Sequence, residues 1–84
     1  MKYFYITFRS VTPAQRGEQI LNNAGIRAKL LRTPKWMEAQ GCGYSLRIWA
    51  DQVHTAVTIL RERGVQFRRV YVQMQEGNLE EMEL

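Results

Sequence analysis

Residues 26–49 read IRAKLLRTPKWMEAQGCGYSLRIW. Two alternating stretches lie in it, Ile26–Leu31 and Tyr44–Trp49. Alternation with a period of two marks a half-buried strand. Ile26, Ala28 and Leu30 are predicted to point inward from the first, Leu46 and Ile48 from the second. Thr33-Pro34 ends the first strand, because proline lacks the N–H that a ladder needs. Lys35–Gly43 then makes a loop or a short helical turn. Two strands joined directly, with no crossover helix between them, decide the plan of the chain.

On the N-terminal side, Tyr3–Phe8 (YFYITF) alternates and is rich in aromatic residues, so it is predicted as a strand. Phe4, Ile6 and Phe8 share one face, and Tyr3, Tyr5 and Thr7 the other. A helix follows, with Thr12 as N-cap, Pro13 at the first helical position and Gln15 completing a capping box. It runs to about Ala24, and Gly25 stands where a left-handed cap belongs. Ala14, Gly17, Ile20, Leu21 and Ala24 form its apolar stripe, and Gly17 implies a close approach to the sheet.

On the C-terminal side, Asp51 is predicted to cap a second helix running to about Arg63. Val53, Ala56, Val57 and Leu60 recur at helical spacing, and Gly64 closes the helix. A last strand over Phe67–Val72 points Val70 and Val72 inward. The order β-α-β-β-α-β, with right-handed crossovers, predicts an α+β ferredoxin-like sandwich. Its antiparallel sheet has the order 4-1-3-2, with two helices on one face. Residues 1–75 form the single domain of this plan, and 76–84 an acidic C-terminal tail. The tail segment GNLEEMEL allows a short amphipathic turn, too short to be stable alone, and is expected to add little to the fold.

The net charge of +4 hides an asymmetry. All twelve Lys and Arg precede residue 76, against Glu18, Glu38, Asp51 and Glu62, which gives that part +8. A basic body suits a negatively charged partner. The one cysteine, Cys42, cannot close an intramolecular disulfide, which fits a reducing compartment. The apolar start, Tyr3–Phe8, is only six residues long before Arg9 and has no signal-peptide features. No window approaches a membrane span. The default expectation is a cytoplasmic, soluble protein without membrane contact.

The predicted topology gives Cys42 a neighbourhood. The first strand points toward the connection between the second and third strands, and the first helix begins at that end. Cys42 is therefore expected near Arg9, Ser10 and Thr12, with Arg32 and Lys35 flanking its loop. Cations and the free N–H groups of a helix start favour a thiolate. Gly41 and Gly43 leave room beside the sulfur, and two N–H groups in a glycine turn can form an anion nest. A buried structural cysteine is the competing reading, because free cysteine is among the most buried residue types. His54 starts the second helix at the opposite end, so a Cys–His pair is not favoured, and no metal-ligand spacing is present.

The other face of the predicted sheet shows Tyr3, Tyr5, Arg27, Lys29, Arg47, Trp49, Arg69 and Tyr71. Rings and guanidinium groups interleaved in this way suit single-stranded RNA. An aromatic face this extensive also suits a homo-oligomer interface, and self-association is the reading preferred for this face over RNA. A non-catalytic oligomeric interaction protein is a further alternative.

The chain resembles the selenium/sulfur carrier-like family of small bacterial proteins, a domain of unknown function. The resemblance covers nearly all of residues 2–72. It runs from Tyr3–Phe8 and Ser10 through Asn23-Ala24-Gly25-Ile26 to Gly64-Val65-Gln66-Phe67. Its most specific part is Pro34, Lys35, a short linker, Cys42-Gly43 and the alternating strand after it. Trp36, Met37 and Gly41 depart from the family pattern. The resemblance implies a ferredoxin-like domain that holds sulfur or selenium covalently on Cys42, with no other cofactor. It implies a donor such as a cysteine desulfurase and an acceptor that the sequence does not identify. Lys35 and Arg9 would stabilise the thiolate. Pro34, Trp36, Gly41, Gly43, Ser10 and Thr12 would shape the binding surface. With no second cysteine to resolve an intermediate, a carrier or accessory protein is expected rather than a self-contained enzyme.

Overall fold

The computed structural model describes residues 3–32, 43–73 and 79–82. Strand β1 (Tyr3–Phe8) is followed by α1 (Val11–Asn23), β2 (Ala28–Arg32) and β3 (Tyr44–Trp49). A 3-10 turn (Ala50–Gln52) leads into α2 (Val53–Glu62), then β4 (Val70–Gln73) and β5 (Leu79–Met82). All pairings are antiparallel. The sheet order is β2-β3-β1-β4-β5. Its first four strands have the predicted ferredoxin-like order.

One sheet face and two helical stripes meet in the core. Phe4, Ile6 and Phe8 of β1, Leu46 and Ile48 of β3, and Val70 and Val72 of β4 are buried with Ala14 and Leu21 of α1. Val53, Ala56, Val57 and Leu60 of α2 complete the cluster. Each large side chain contributes roughly 1.5–3 kcal/mol on burial. Gly17 sets how closely α1 lies on the sheet. A Cβ there would stand 3.2 Å from Leu46 Cδ1, 3.3 Å from Leu60 Cδ2 and 3.4 Å from Phe8 Cζ. Ala24, predicted to be in the α1 stripe, is exposed, because it is the C-cap and has left the helical face.

Both helices end in the same way. After α1, the Ile26 N–H donates to the Leu21 carbonyl (2.9 Å) and the Gly25 N–H to the Asn22 carbonyl (3.1 Å). After α2, the Val65 N–H donates to Leu60 (2.9 Å) and the Gly64 N–H to Arg61 (3.2 Å). These are Schellman motifs, and they need the left-handed backbone that Gly25 (φ 85°) and Gly64 (φ 72°) adopt. Ile26 and Val65, the residues that follow, are buried.

The helix starts differ from expectation. The N-cap of α1 is Ser10, not Thr12, and its side chain makes no capping bond. Pro13 is the third helical residue, still within the turn whose N–H groups have no helical partner. Asp51 lies inside the 3-10 turn, and Gln52 is the N-cap of α2.

The last core strand begins at Val70 rather than Phe67. Opposite Thr7 stand two residues. The Arg68 N–H donates to the Thr7 carbonyl (2.7 Å), and the Thr7 N–H donates to the Arg69 carbonyl (2.8 Å). The Arg69 N–H turns to Thr7 Oγ1 instead (3.1 Å). This two-against-one arrangement is a β-bulge, and it takes Arg68 and Arg69 out of the regular ladder.

One edge of the sheet is covered by side chains of α1, and the other is extended by a further strand. On the outer side of β2, Asn22 of α1 uses its amide as a strand would: Oδ1 accepts from the Ala28 N–H and Nδ2 donates to the Ala28 carbonyl, both at 3.3 Å. Glu18 Oε2 accepts from the Leu30 N–H at 2.9 Å. On the far side, Leu79–Met82 of the acidic tail is a strand, not a helical turn. It pairs with β4 from Val70↔Met82 to Gln73↔Leu79.

Candidate functional site

The pairing register gathers several chain segments at one end of the sheet. Phe8 at the end of β1 pairs with Tyr44 at the start of β3, and Tyr44 also pairs with Arg32 at the end of β2. Arg9 and Ser10 follow Phe8 directly, and α1 begins there. The bulge brings Arg68 and Arg69 to the same end through Thr7. Gly43, which precedes Tyr44, is buried. The readings on Pro34, Lys35, Trp36, Gly41 and Cys42 lie outside the described residues.

A cleft of about 620 Å³ opens at this end, lined by Arg9, Ser10, Pro13, Gln66, Phe67, Arg68 and Arg69. Arg9, Arg68 and Arg69 are exposed at its rim. The Arg9 guanidinium and the first turn of α1, whose N–H groups have no helical partner, bring positive charge to it. Such charge attracts anionic groups, whether a thiolate, a persulfide or an oxyanion. Arg9, Ser10 and Arg69 are thus together. Arg68, Gln66 and Phe67 were not among the expected site residues. The basic pair Arg68-Arg69 just ahead of the last strand was the available signal.

The opposite end of the strands carries a second cluster. The Tyr3 and Trp49 rings stack with centroids 4.2 Å apart. Arg47 lies over the Tyr3 ring at 4.6 Å. Tyr5 donates to Gln73 Oε1 at 3.3 Å, and Tyr5 pairs with both Arg47 and Tyr71 in the sheet. Arg27 and Lys29 are exposed beside this cluster. The predicted open face is therefore half-exposed at Tyr3, Tyr5, Arg47, Trp49 and Tyr71. It is closed at the next row, where Thr7 and Ser45 are fully buried. Arg69 belongs to the cleft at the other end.

Among the described residues no three of His, Cys, Asp and Glu come together as a metal site would require. His54 is exposed on α2. No helix among them is long and apolar enough to cross a membrane.

A four-stranded antiparallel core in the order 2-3-1-4, covered by two helices and ending in a basic cleft, defines a ferredoxin-like α+β sandwich. Residues 2–72 match the family described as “Putative Se/S carrier protein-like”, and the chain belongs to that family. No curated protein and no solved structure matches it.

Proposed function

We propose that this chain carries a sulfur or selenium atom on the thiol of Cys42. The observation that carries the reading is the family match, which spans the cysteine and its flanking segments. The sheet end supports it. Gly43, the covalent neighbour of Cys42, is buried at the end where Arg9, Ser10 and Arg32 meet. Cations at that end favour the thiolate, which is the form that attacks.

Loading would proceed by exchange. The Cys42 thiolate attacks the terminal sulfur of a persulfide held on a donor enzyme such as a cysteine desulfurase. The donor S–S bond breaks, the donor sulfur leaves as a thiolate, and Cys42 becomes the persulfide. A nucleophile of the acceptor then takes the terminal sulfur and releases the Cys42 thiolate. No net oxidant or reductant is consumed, and a selenium atom would follow the same course. Arg9 and Lys35 stabilise the thiolate in this scheme, and the cleft beside Arg9 receives acidic groups of the donor or acceptor.

Intact-mass measurement on protein purified without reductant tests this. The expected result is a gain of one sulfur or selenium atom that thiol reagents remove and that Cys42→Ser lacks. Protein that stays unmodified after incubation with a cysteine desulfurase and cysteine would overturn the sulfur reading.

A further inference from the structure

We propose that the half-exposed sheet face around Tyr3 and Trp49 binds single-stranded nucleic acid, through base stacking on the Trp49 ring and phosphate contacts to Arg27, Lys29 and Arg47. This site is separate from the cleft at Arg9 and Ser10. Tyr3↔Trp49 and Phe8↔Tyr44 are the two ends of one register, five steps apart, or roughly 17 Å along the strands. The inference does not rest on the carrier reading.

Three observations carry it. Tyr3 is held between Trp49, stacked at 4.2 Å, and the Arg47 guanidinium at 4.6 Å, while Trp49 is only half-buried, so Trp49 is the ring of the pair that offers a face to a base. A groove of about 350 Å³ lies along the pair, with Arg27, Lys29 and Arg47 on its walls. Asn22 closes it from α1, where its amide is held by the Ala28 backbone. Arg27 and Lys29 make no ion pair with any described residue, so their charge is available.

The chemistry selects among occupants. Unpaired bases offer flat faces to the Trp49 ring, and their phosphates offer charge to the guanidinium and ammonium groups. A duplex hides its base faces in the stack, so a flat aromatic surface of this kind does not read it. A second copy of this chain laid patch on patch would oppose Arg27, Lys29 and Arg47 to the same cations. Charge therefore favours a polyanion over self-association here.

The experiment is a titration of the full chain with fluorescein-labelled oligouridylate and oligothymidylate of about ten nucleotides, followed by anisotropy and by tryptophan fluorescence. Binding should weaken with salt, with a log–log slope of about −2 for three phosphate contacts on a single strand. Trp49→Ala should weaken it about 5- to 150-fold, the range for one stacked base. Arg27→Ala with Lys29→Ala should flatten the salt slope. Arg16→Ala, on the helical side, should leave binding unchanged. Stronger binding of the uridylate would assign RNA, and equal binding would assign single strands of either sugar. No binding at about 50 mM salt would overturn the proposal. So would affinity indifferent to Trp49→Ala, or equal affinity for a duplex. A stable dimer that excludes the oligonucleotide and dissociates on Trp49→Glu would assign the face to self-association instead.

Discussion

Thr7 and Ser45 face each other across β1 and β3, both fully buried, yet among the described residues the Thr7 hydroxyl has a partner and the Ser45 hydroxyl does not. Thr7 Oγ1 accepts from the Arg69 N–H and donates to the Arg69 carbonyl, at 3.1 and 3.3 Å. Ser45 Oγ has no hydrogen-bond partner among the described residues. A buried hydroxyl left unpaired costs about 1–3 kcal/mol, and a satisfied one stabilises by about 1 kcal/mol. Opposite outcomes follow for two chemically similar changes. Ser45→Ala should raise stability by about 1 kcal/mol, a melting shift of roughly 4–8 °C for a chain of this size. Thr7→Val should lower it by a similar amount. Denaturant melts of both variants decide it. A destabilised Ser45→Ala would mean that the hydroxyl has a partner after all.

Gly17 has almost no room for a larger side chain. Its virtual Cβ already comes within 3.2–3.4 Å of Leu46, Leu60 and Phe8. Gly17→Val should cost about 1–3 kcal/mol by overpacking, despite the helix position. Urea denaturation measures this. An unchanged midpoint would show that α1 is free to shift on the sheet.

Asn22 substitutes for a neighbouring strand at Ala28. Asn22→Ala removes two hydrogen bonds and should cost about 1–2 kcal/mol. Faster amide exchange at Ala28, with the rest of the sheet unaffected, is the signature expected. Asn22→Asp keeps the acceptor but loses the donor, and should fall between the two.

The strand β5 changes the expectation for the acidic tail. Four residues of Leu79–Met82 pair with β4. Removal of residues 77–84 should lower the melting midpoint by several degrees, at about 4–8 °C per kcal/mol. It should also expose one edge of β4 to exchange. A melting curve that does not move would mean that this pairing adds nothing to stability.

For Cys42 the expected behaviour is fast alkylation. Iodoacetamide should react with the native protein near neutral pH. Arg9→Ala and Lys35→Ala should each slow the reaction, and added salt should reduce the difference. Cys42→Ser should melt like the parent chain. A thiol that reacts only after unfolding, with Cys42→Ser costing stability, would make the residue structural and end the carrier mechanism.

The parts of the fold legible in the sequence are those where one periodicity dominates. Tyr3–Phe8 and Tyr44–Trp49 alternate cleanly, and both strands have the predicted bounds. Gly25 and Gly64 marked the helix ends, because the left-handed position there strongly favours glycine. Helix starts are less determined. Ser10 and Thr12 are both able to cap, and proline is tolerated anywhere in the first turn, so the motif at Thr12 was two residues late. The start of β4 was obscured by the bulge at Thr7, a tertiary feature with no local signature. Leu79–Met82 (LEEM) lacks β-branched and aromatic residues, and its pairing comes from the free edge of β4 rather than from its own propensity. Topology alone places Arg9 and Ser10 at the end of the sheet where Phe8 pairs with Tyr44. The cleft they share with Arg68 depends on that same bulge.

The position of β1 between β3 and β4 has a consequence for how the chain folds. The first strand in sequence is flanked on both sides by strands that come much later. Tyr5 meets Gln73 across 68 residues, and Thr7 meets Arg69 across 62. Closing loops of that length must precede the contacts that reward it, which slows folding relative to a local topology. The helix α1 and the β2–β3 pair can organise early from near neighbours. The ladder between β1 and β4 needs the last core strand, so until that strand is in place one edge of β1 lacks its backbone partners.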